Sequence, residues 1–272
     1  PLTLTQRFVP HQRVDCSTLT PTLLAGKSAR EIAALQLQSG NRKLPVGELF
    51  TLSGDDTQNL IIECEGDKLE RIGARMTGGR VRVQGDCGAY AGLQMRGGEI
   101  HVAGSVGAFA ACQMRGGLLC IDDDAGEFLG SALPGETLGM AGGTVIVKGN
   151  VGDRCGDRMR RGQILIEGHA ADYCASRMLA GTIAVIGSVG ANLGFAMQRG
   201  TVLLRDTPAH ILPTFGDCGT HELAFLKLLF QSWTALLSRY AAFAPPPRVK
   251  RIVGDLANGG RGEILISARG QP

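Results

Sequence analysis

Between residues 57 and 206, apolar and polar positions alternate over short runs that end in glycine, and the whole unit returns every 19 residues. The methionines mark the period. All seven, at 76, 95, 114, 140, 159, 178 and 197, are 19 apart except Met114 and Met140, which are 26 apart, one repeat plus seven residues. Three residues after each Met stands a glycine: Gly79, Gly98, Gly117, Gly143, Gly162, Gly181 and Gly200. An unvarying glycine column within one chain points to a corner with positive φ or close backbone approach. Two apolar positions separated by one follow, such as Val81/Val83, Ile100/Val102, Ile164/Ile166 and Ile183/Val185. This is strand alternation in β-branched residues, with the intervening position directed outward. Further small residues recur at Gly85, Gly104 and Gly149 and at Gly88, Gly107 and Gly152, where turns belong.

Each repeat thus reads as short strand, corner, short extended stretch, corner, with no helical period. Such a unit buries its apolar face only by stacking on its neighbour. The pattern predicts a mainly β fold, a right-handed parallel β-helix of 19-residue coils with small α/β caps. Met, Ile/Val and aromatic ladders are expected to fill its interior. Carried back by 19, the register gives a degenerate first coil, Thr57–Arg75, which places Ile62 and Cys64 in the two strand columns.

The flanks break the pattern and suggest three segments: an N-terminal cap (1–56), the glycine-rich stack (57–206) and a C-terminal helix with a closing strand (207–272). In the first, Leu2–Val9 and Phe50–Leu52 read as strands and Thr20-Pro21 as the start of a helical turn. Ser28-x-x-Glu31 is a capping box opening a helix to about Gln38, stopped at Gly40. In the last, Leu226, Leu229, Phe230, Trp233, Leu236, Leu237 and Tyr240 form a helical stripe over His221–Tyr240, which predicts a helix laid on the stack or against another subunit. Glu263–Ser267 reads as a final strand.

Composition narrows the function classes. The 28 basic and 25 acidic residues leave a net charge of +3, too mild a balance for a nucleic-acid binder. There is no apolar run of membrane-spanning length and no secretory signal. The eight cysteines include no C-x-x-C pair, so the chain is expected to be cytoplasmic with reduced thiols.

Candidate chemistry is sparse. His101 and His169 occupy different repeat columns, and no histidine–cysteine spacing suits a metal. Cys155 and Cys174 share a column and should stack as small core residues, with a redox or metal role the alternative. Asp122-Asp123-Asp124 is the one dense acidic run, read as a solvated corner before a weak cation site. No catalytic residue is assigned. Arginines do crowd the Met corner at Arg75, Arg96, Arg115, Arg158, Arg160, Arg161, Arg177 and Arg199. Ordinary pairing with Glu99, Asp153 and Asp157 is one reading of these. The other is a basic stripe, centred on Arg96, Arg115, Arg160, Arg161 and Arg199, serving an acidic partner surface or a polyanionic cofactor tail.

The repeat M-x-G-G-x-I-x-V-x-G-x-x-G-x-x-x-G is similar to the glycine-rich C-terminal β-helix of glutamate synthase. FLGSALPGETLGMAGGTVIVKGN at 128–150, LTPTLLAGKSAREIAALQLQSGNRKLPVGELFTLSGDD at 19–56 and LPTFGDC at 212–218 resemble the C-subunit family of formylmethanofuran dehydrogenase more closely. Within it the chain looks most like the bacterial branch, found in formyltransferase/hydrolase complexes. The resemblance implies a scaffold subunit without its own active site, in a complex that moves formyl groups between tetrahydromethanopterin, a methanofuran-type cofactor and formate. It implies an amidohydrolase-type subunit and a formyltransferase subunit as partners. A carbohydrate-active β-helix enzyme and a detached glutamate-synthase-like domain are the competing readings. The first would need two carboxylates converging on a groove.

Overall fold

The structure is a computed structural model that describes residues 1–267. Its main element is a 13-stranded sheet. Eight strands in succession pair parallel, Asn59–Glu63, Arg80–Gln84, Glu99–Val102, Arg115–Ile121, Ala141–Val147, Arg161–Ile166, Thr182–Val185 and Thr201–Leu204, and Gly262–Ser267 continues the parallel run. Leu2–Gln6 adds parallel at the first end and is covered by antiparallel Phe50–Ser53. At the other end Val249–Gly254 and then Gly216–His221 add antiparallel. Reversed strands therefore cover both open edges of the parallel run, where unpaired backbone would otherwise template aggregation. A small sheet of Arg42–Pro45, Gln36–Ser39, Val14–Asp15 and Leu69–Glu70 ties the N-terminal segment to the first coil. No helix among the described residues is long and apolar enough to cross a membrane.

The repeat columns superpose as the period requires. Ile100 pairs with Val81 and Leu119, and Ile164 with Val145 and Ile183. A second parallel ladder joins Cys87, Val106, Ala125, Val151, Ala170 and Val189, one residue per coil. All seven methionines are fully buried. Each methyl lies against the corner glycine of the next coil. A Cβ at Gly98 would stand 2.5 Å from Met76 Cε, one at Gly117 2.6 Å from Met95 Cε, and one at Gly143 2.7 Å from Met114 Cε. These glycines also have φ between +86° and +89°. The column is invariant for two reasons, backbone conformation and the methionine beneath it.

Fifteen non-glycine residues also have positive φ. Fourteen of them fall five, three or one residues before a methionine, as in Tyr90, Ala111 and Gln113, and the insertion sets the other, Phe128, twelve before Met140. This conformation costs an L-residue about 1–2 kcal/mol. Here it aims backbone groups along the stack, as when Tyr90 N–H donates to Ala108 O (2.9 Å) and Gln94 N–H to Cys112 O (2.8 Å). A satisfied buried hydrogen bond offsets about that much, because leaving the group unpaired costs about 1–3 kcal/mol.

The structure corrects the sequence reading at five places. In the first coil, Leu60 and Ile62 pair with Val81 and Val83, so Ile62 and Cys64 do not hold the expected columns. The coil carries two extra residues between Glu63 and Arg71, where the 19-residue offset returns: Arg71 N–H donates to Ala89 O as Tyr90 N–H does to Ala108 O one coil on. A two-residue slip leaves the same faces inward, so alternation cannot reveal it. The aromatic ladder lies outside the main core. Tyr90, Phe109 and Phe128 stack at centroid spacings of 5.3 and 4.8 Å but are only half-buried, on the outer side of the corner. The inward column is its neighbour, Ile72, Ala91, Ala110, Leu129, Cys155, Cys174 and Leu193.

The helix from Ser28 has its full capping box but spans only Ala29–Ala34, since Leu35 turns extended into the hairpin strand Gln36–Ser39. The C-terminal helix is Phe225–Trp233, and a 3₁₀ turn, Arg239–Ala242, carries Tyr240. His221 ends a strand rather than starting that helix. The helix does pack on the stack. It covers the outward strand column, so Ile146, Leu165 and Ala184 are as buried as the inward ones. Trp233 Nε1 donates to Gln163 Oε1 (2.7 Å) and Tyr240 Oη to Ile166 O (2.8 Å), which seats the cover.

Buried Asp255 closes the last coil. It accepts from Ala196 N–H (2.9 Å), Ala257 N–H (3.2 Å) and Asn258 Nδ2 (2.9 Å). Burial pushes its carboxyl up, but these donors outweigh it and hold the group below the usual carboxylate range. A depressed folded pKa stabilises above the unfolded value of about 3.9 and loses that contribution as pH falls through the folded one. Asp255→Asn should therefore lower stability by about 1–3 kcal/mol at pH 7. The gap from wild type should narrow at pH 3, read as urea midpoints at both values. Gly117→Ala should cost about 1–3 kcal/mol. Gly78→Ala, where a Cβ meets nothing within 4 Å, should be near neutral in the same unfolding assay.

Candidate functional site

The Met corner is where exposed charge concentrates. The position after each methionine donates its N–H to the methionine one coil back: Arg96 to Met76 O (2.8 Å), Arg115 to Met95 O (2.7 Å) and Arg160 to Met140 O (2.8 Å). Arg96, Arg115 and Arg160 therefore share one row, with Ala141 in the coil between the last two. Arg161 and Arg199 share the adjacent row, separated by Ala180. All five are exposed, and among the described residues none of their side chains enters an ion pair or hydrogen bond.

The acids expected to neutralise them are engaged elsewhere. Glu99 pairs with Arg80 (3.0 Å), Asp153 Oδ1 accepts from Asp172 N–H (3.0 Å), and buried Asp157 takes Arg177 in two-pronged contact (2.8 and 2.6 Å) with Ser176 Oγ (2.6 Å). The other corner arginines have structural partners or a different setting. Arg75 donates to Gln94 (3.1 Å), which donates to Gln113 (2.7 Å), a polar ladder beside the arginine row. Arg158 is half-buried.

Two further features adjoin the row, and neither was read from sequence as part of a site. The aromatic ladder runs up the same corner, with Arg71 over the Tyr90 ring (5.5 Å) and Arg154 over Tyr173 (4.5 Å). The 19-residue spacing of Tyr90, Phe109 and Phe128 was a visible signal, but alternation alone does not give its side. A groove of about 430 Å³ opens where the N-terminal arm crosses the corner, lined by Thr22, Leu23, Arg71, Arg75 and Leu93 among others. Thr22 Oγ1 lies 2.9 Å from Thr77 Oγ1, so the arm is fixed to the residue one coil below Arg96.

The remaining candidates have structural roles. Asp122 pairs with Lys148 (2.7 Å) and His101 (2.8 Å). Burial raises its pKa, but Lys148 and His101 outweigh that and hold it below the ordinary range. Asp123 accepts from Ser105 Oγ (3.2 Å) and Asp124 from Asn150 N–H (2.6 Å). His169 Nδ1 accepts from Ser188 N–H (2.9 Å) in the turn after its strand, whereas His101 lies within the strand Glu99–Val102. Cys155 and Cys174 do stack, both buried, and their mutual contact together with burial holds the Cys155 thiol well above its usual pKa. No cluster of three or more metal-type ligands occurs among the described residues.

Comparison with known proteins places the architecture. A GXGXG motif model matches residues 131–215. The Fhc C subunit of the formyltransferase/hydrolase complex of Methylorubrum extorquens is 48% identical over 257 residues, 94% of this chain and 96% of that protein. The chain belongs to the family of formyltransferase/hydrolase C subunits. A chain in the crystal structure of the Methylorubrum extorquens FhcABCD complex with methylofuran superposes with a TM-score of 0.91 at 38% identity, covering 98% of this chain and all of that one. The C subunit of the molybdenum-containing formylmethanofuran dehydrogenase 1 of Methanosarcina barkeri is 33% identical over a shorter stretch, 29% of this chain and 28% of that protein. The resemblance read from the insertion and the N-terminal segment agrees with these relationships. The similarity to the bacterial protein extends over both flanks, as the N-terminal segment indicated.

The contrast between paired and unpaired arginines sets a prediction. Asp157→Ala should destabilise by about 3 kcal/mol, since it strands Arg177 and Ser176. Arg96→Ala, Arg115→Ala and Arg160→Ala should each stay within about 0.5 kcal/mol of wild type in denaturant unfolding, as side chains that hold nothing in the fold.

Proposed function

We propose that this chain is the non-catalytic C subunit of a cytoplasmic formyltransferase/hydrolase complex in one-carbon metabolism. The observation that carries this is the near end-to-end similarity to the Fhc C subunit, both flanks included, at 48% identity. Residues 57–206 act as a right-handed parallel β-helix, and two parallel ladders at the repeat spacing support that reading. Residues 1–56 serve as its cap and 207–272 as its cover, the last five lying outside the described residues. A rigid stack with covered ends gives long faces on which other subunits are held at set distances. In this reading formyl hydrolysis and transfer belong to an amidohydrolase-type and a formyltransferase subunit. The methanofuran-type cofactor and tetrahydromethanopterin are theirs. The exposed row of Arg96, Arg115, Arg160, Arg161 and Arg199 is this chain's contribution to assembly, a basic edge toward an acidic surface or a cofactor's anionic tail.

Affinity purification of the tagged chain from its native cells tests the reading. Stoichiometric recovery of an amidohydrolase-type and a formyltransferase subunit, with formyl-transfer activity in the eluate, is the expected result. A lone monomer, or one that cleaves polysaccharide, would refute it.

A further inference from the structure

The Met corner carries more than charge. Across its two arginine rows, from Thr77-Gly78 to Gln198-Arg199, there is no acidic residue. The positive edge thus has no counter-charge of its own. The arginines recur one coil apart (Arg96, Arg115) and then two coils apart (Arg115, Arg160), about 5 and 10 Å along the stack. The next coil interrupts the basic edge with Leu179 and Ala180, and only Arg199 of the adjacent row follows in the coil after. At the start of the edge sits the groove under the N-terminal arm. Leu23, 53% exposed, and the buried Leu93 both line it. Beside both runs the half-buried stack of Tyr90, Phe109 and Phe128; Tyr90, Phe109 and Leu133 of the seven-residue insertion all pack against the buried cluster of Ala74, Leu93 and Cys112.

The geometry points to a docking edge for an acidic segment of a partner protein subunit. The segment lies along the stack, sets an aliphatic or aromatic side chain into the groove lined by Leu23 and Leu93, and places carboxylates on Arg96, Arg115 and Arg160. This deepens the assembly role proposed above and rests on it. Charge complementarity selects an acidic occupant. The mixture of arginine, aromatic and aliphatic surface selects a folded protein over a flexible polyanion, because that mixture is the composition of protein interface centres, whereas a polyanion needs only the charges. The row is also short and interrupted by Ala141, which suits a local contact rather than a long charged chain. Guanidinium forks matched to carboxylates give orientation as well as attraction.

The test uses the whole complex, co-expressed with the tag on this chain, and two variants: Arg96→Glu/Arg115→Glu/Arg160→Glu, and Leu23→Asp. Partner recovery is followed across a salt series, and bound organic cofactor is quantified by mass spectrometry. Wild type should retain its partners at physiological salt and release them as salt rises. The triple variant should weaken retention about a hundredfold or more, since like charges then face each other. Leu23→Asp should weaken it about tenfold with little change in salt dependence. Thermal melting of both isolated variants should match wild type, which separates lost docking from lost folding. Retention and salt dependence equal to wild type in both variants would overturn the docking edge while leaving complex membership intact. Full partner retention with loss of the bound cofactor would also overturn it, by assigning the row to a polyanion. A wild-type chain that recovers no partner would remove the assembly role itself.

Discussion

The contact between each methionine methyl and the corner glycine one coil further on is the constraint from which the rest of the stack follows. The methionine fills the interior behind the corner, and the glycine leaves the space it needs. Neither can change alone. A side chain at the glycine meets the methyl and the carbonyl of the preceding glycine, and a smaller residue at the methionine leaves a cavity. Because the contact is made between neighbouring coils, it recurs at the coil length, which is why both columns shift together by seven residues at the insertion and then resume the 19-residue period. The insertion itself leaves the stacking intact by looping out between Ser131 and Gly139, where Leu133 packs against the cluster of Ala74, Leu93 and Cys112.

Stacking at that fixed spacing turns single substitutions into surface rows. A position facing inward gives a buried column, and one facing outward gives a stripe whose chemistry is free to vary. The stripe that follows the strands shows how context decides its fate. Its early members, Arg82 and His101, face solvent or a neighbouring acid, while later ones, Ile146, Leu165 and Ala184, lie under the C-terminal helix. The stripe at the Met corner is not covered. Among the described residues Arg96, Arg115, Arg160, Arg161 and Arg199 hold no partner, while Arg177, Arg80 and Arg251 are spent on Asp157, Glu99 and Glu263. This division between arginines that fold the chain and arginines that do not locates the surface left for assembly. It agrees with a family whose Methylorubrum extorquens relative is a subunit of a complex.

Much of the fold was legible in the order of residues. The Met and Gly columns, the paired apolar positions and the insertion determined a stack of parallel strands and the identity of its inward residues, because a period repeated seven times outweighs weak local propensity. The capping box at Ser28 and the basic crowding at the Met corner were equally open to reading. Tertiary structure alone decided the two-residue slip of the first coil, since a shift by two keeps every apolar residue on its face. It alone put Tyr90, Phe109 and Phe128 outside the core, since positive φ in residues that are not glycine, sustained by hydrogen bonds between coils, has no mark in the sequence. It alone sorted the arginines into paired and unpaired, because the partners come from neighbouring coils, and a charge in a repeat does not say which acid will reach it.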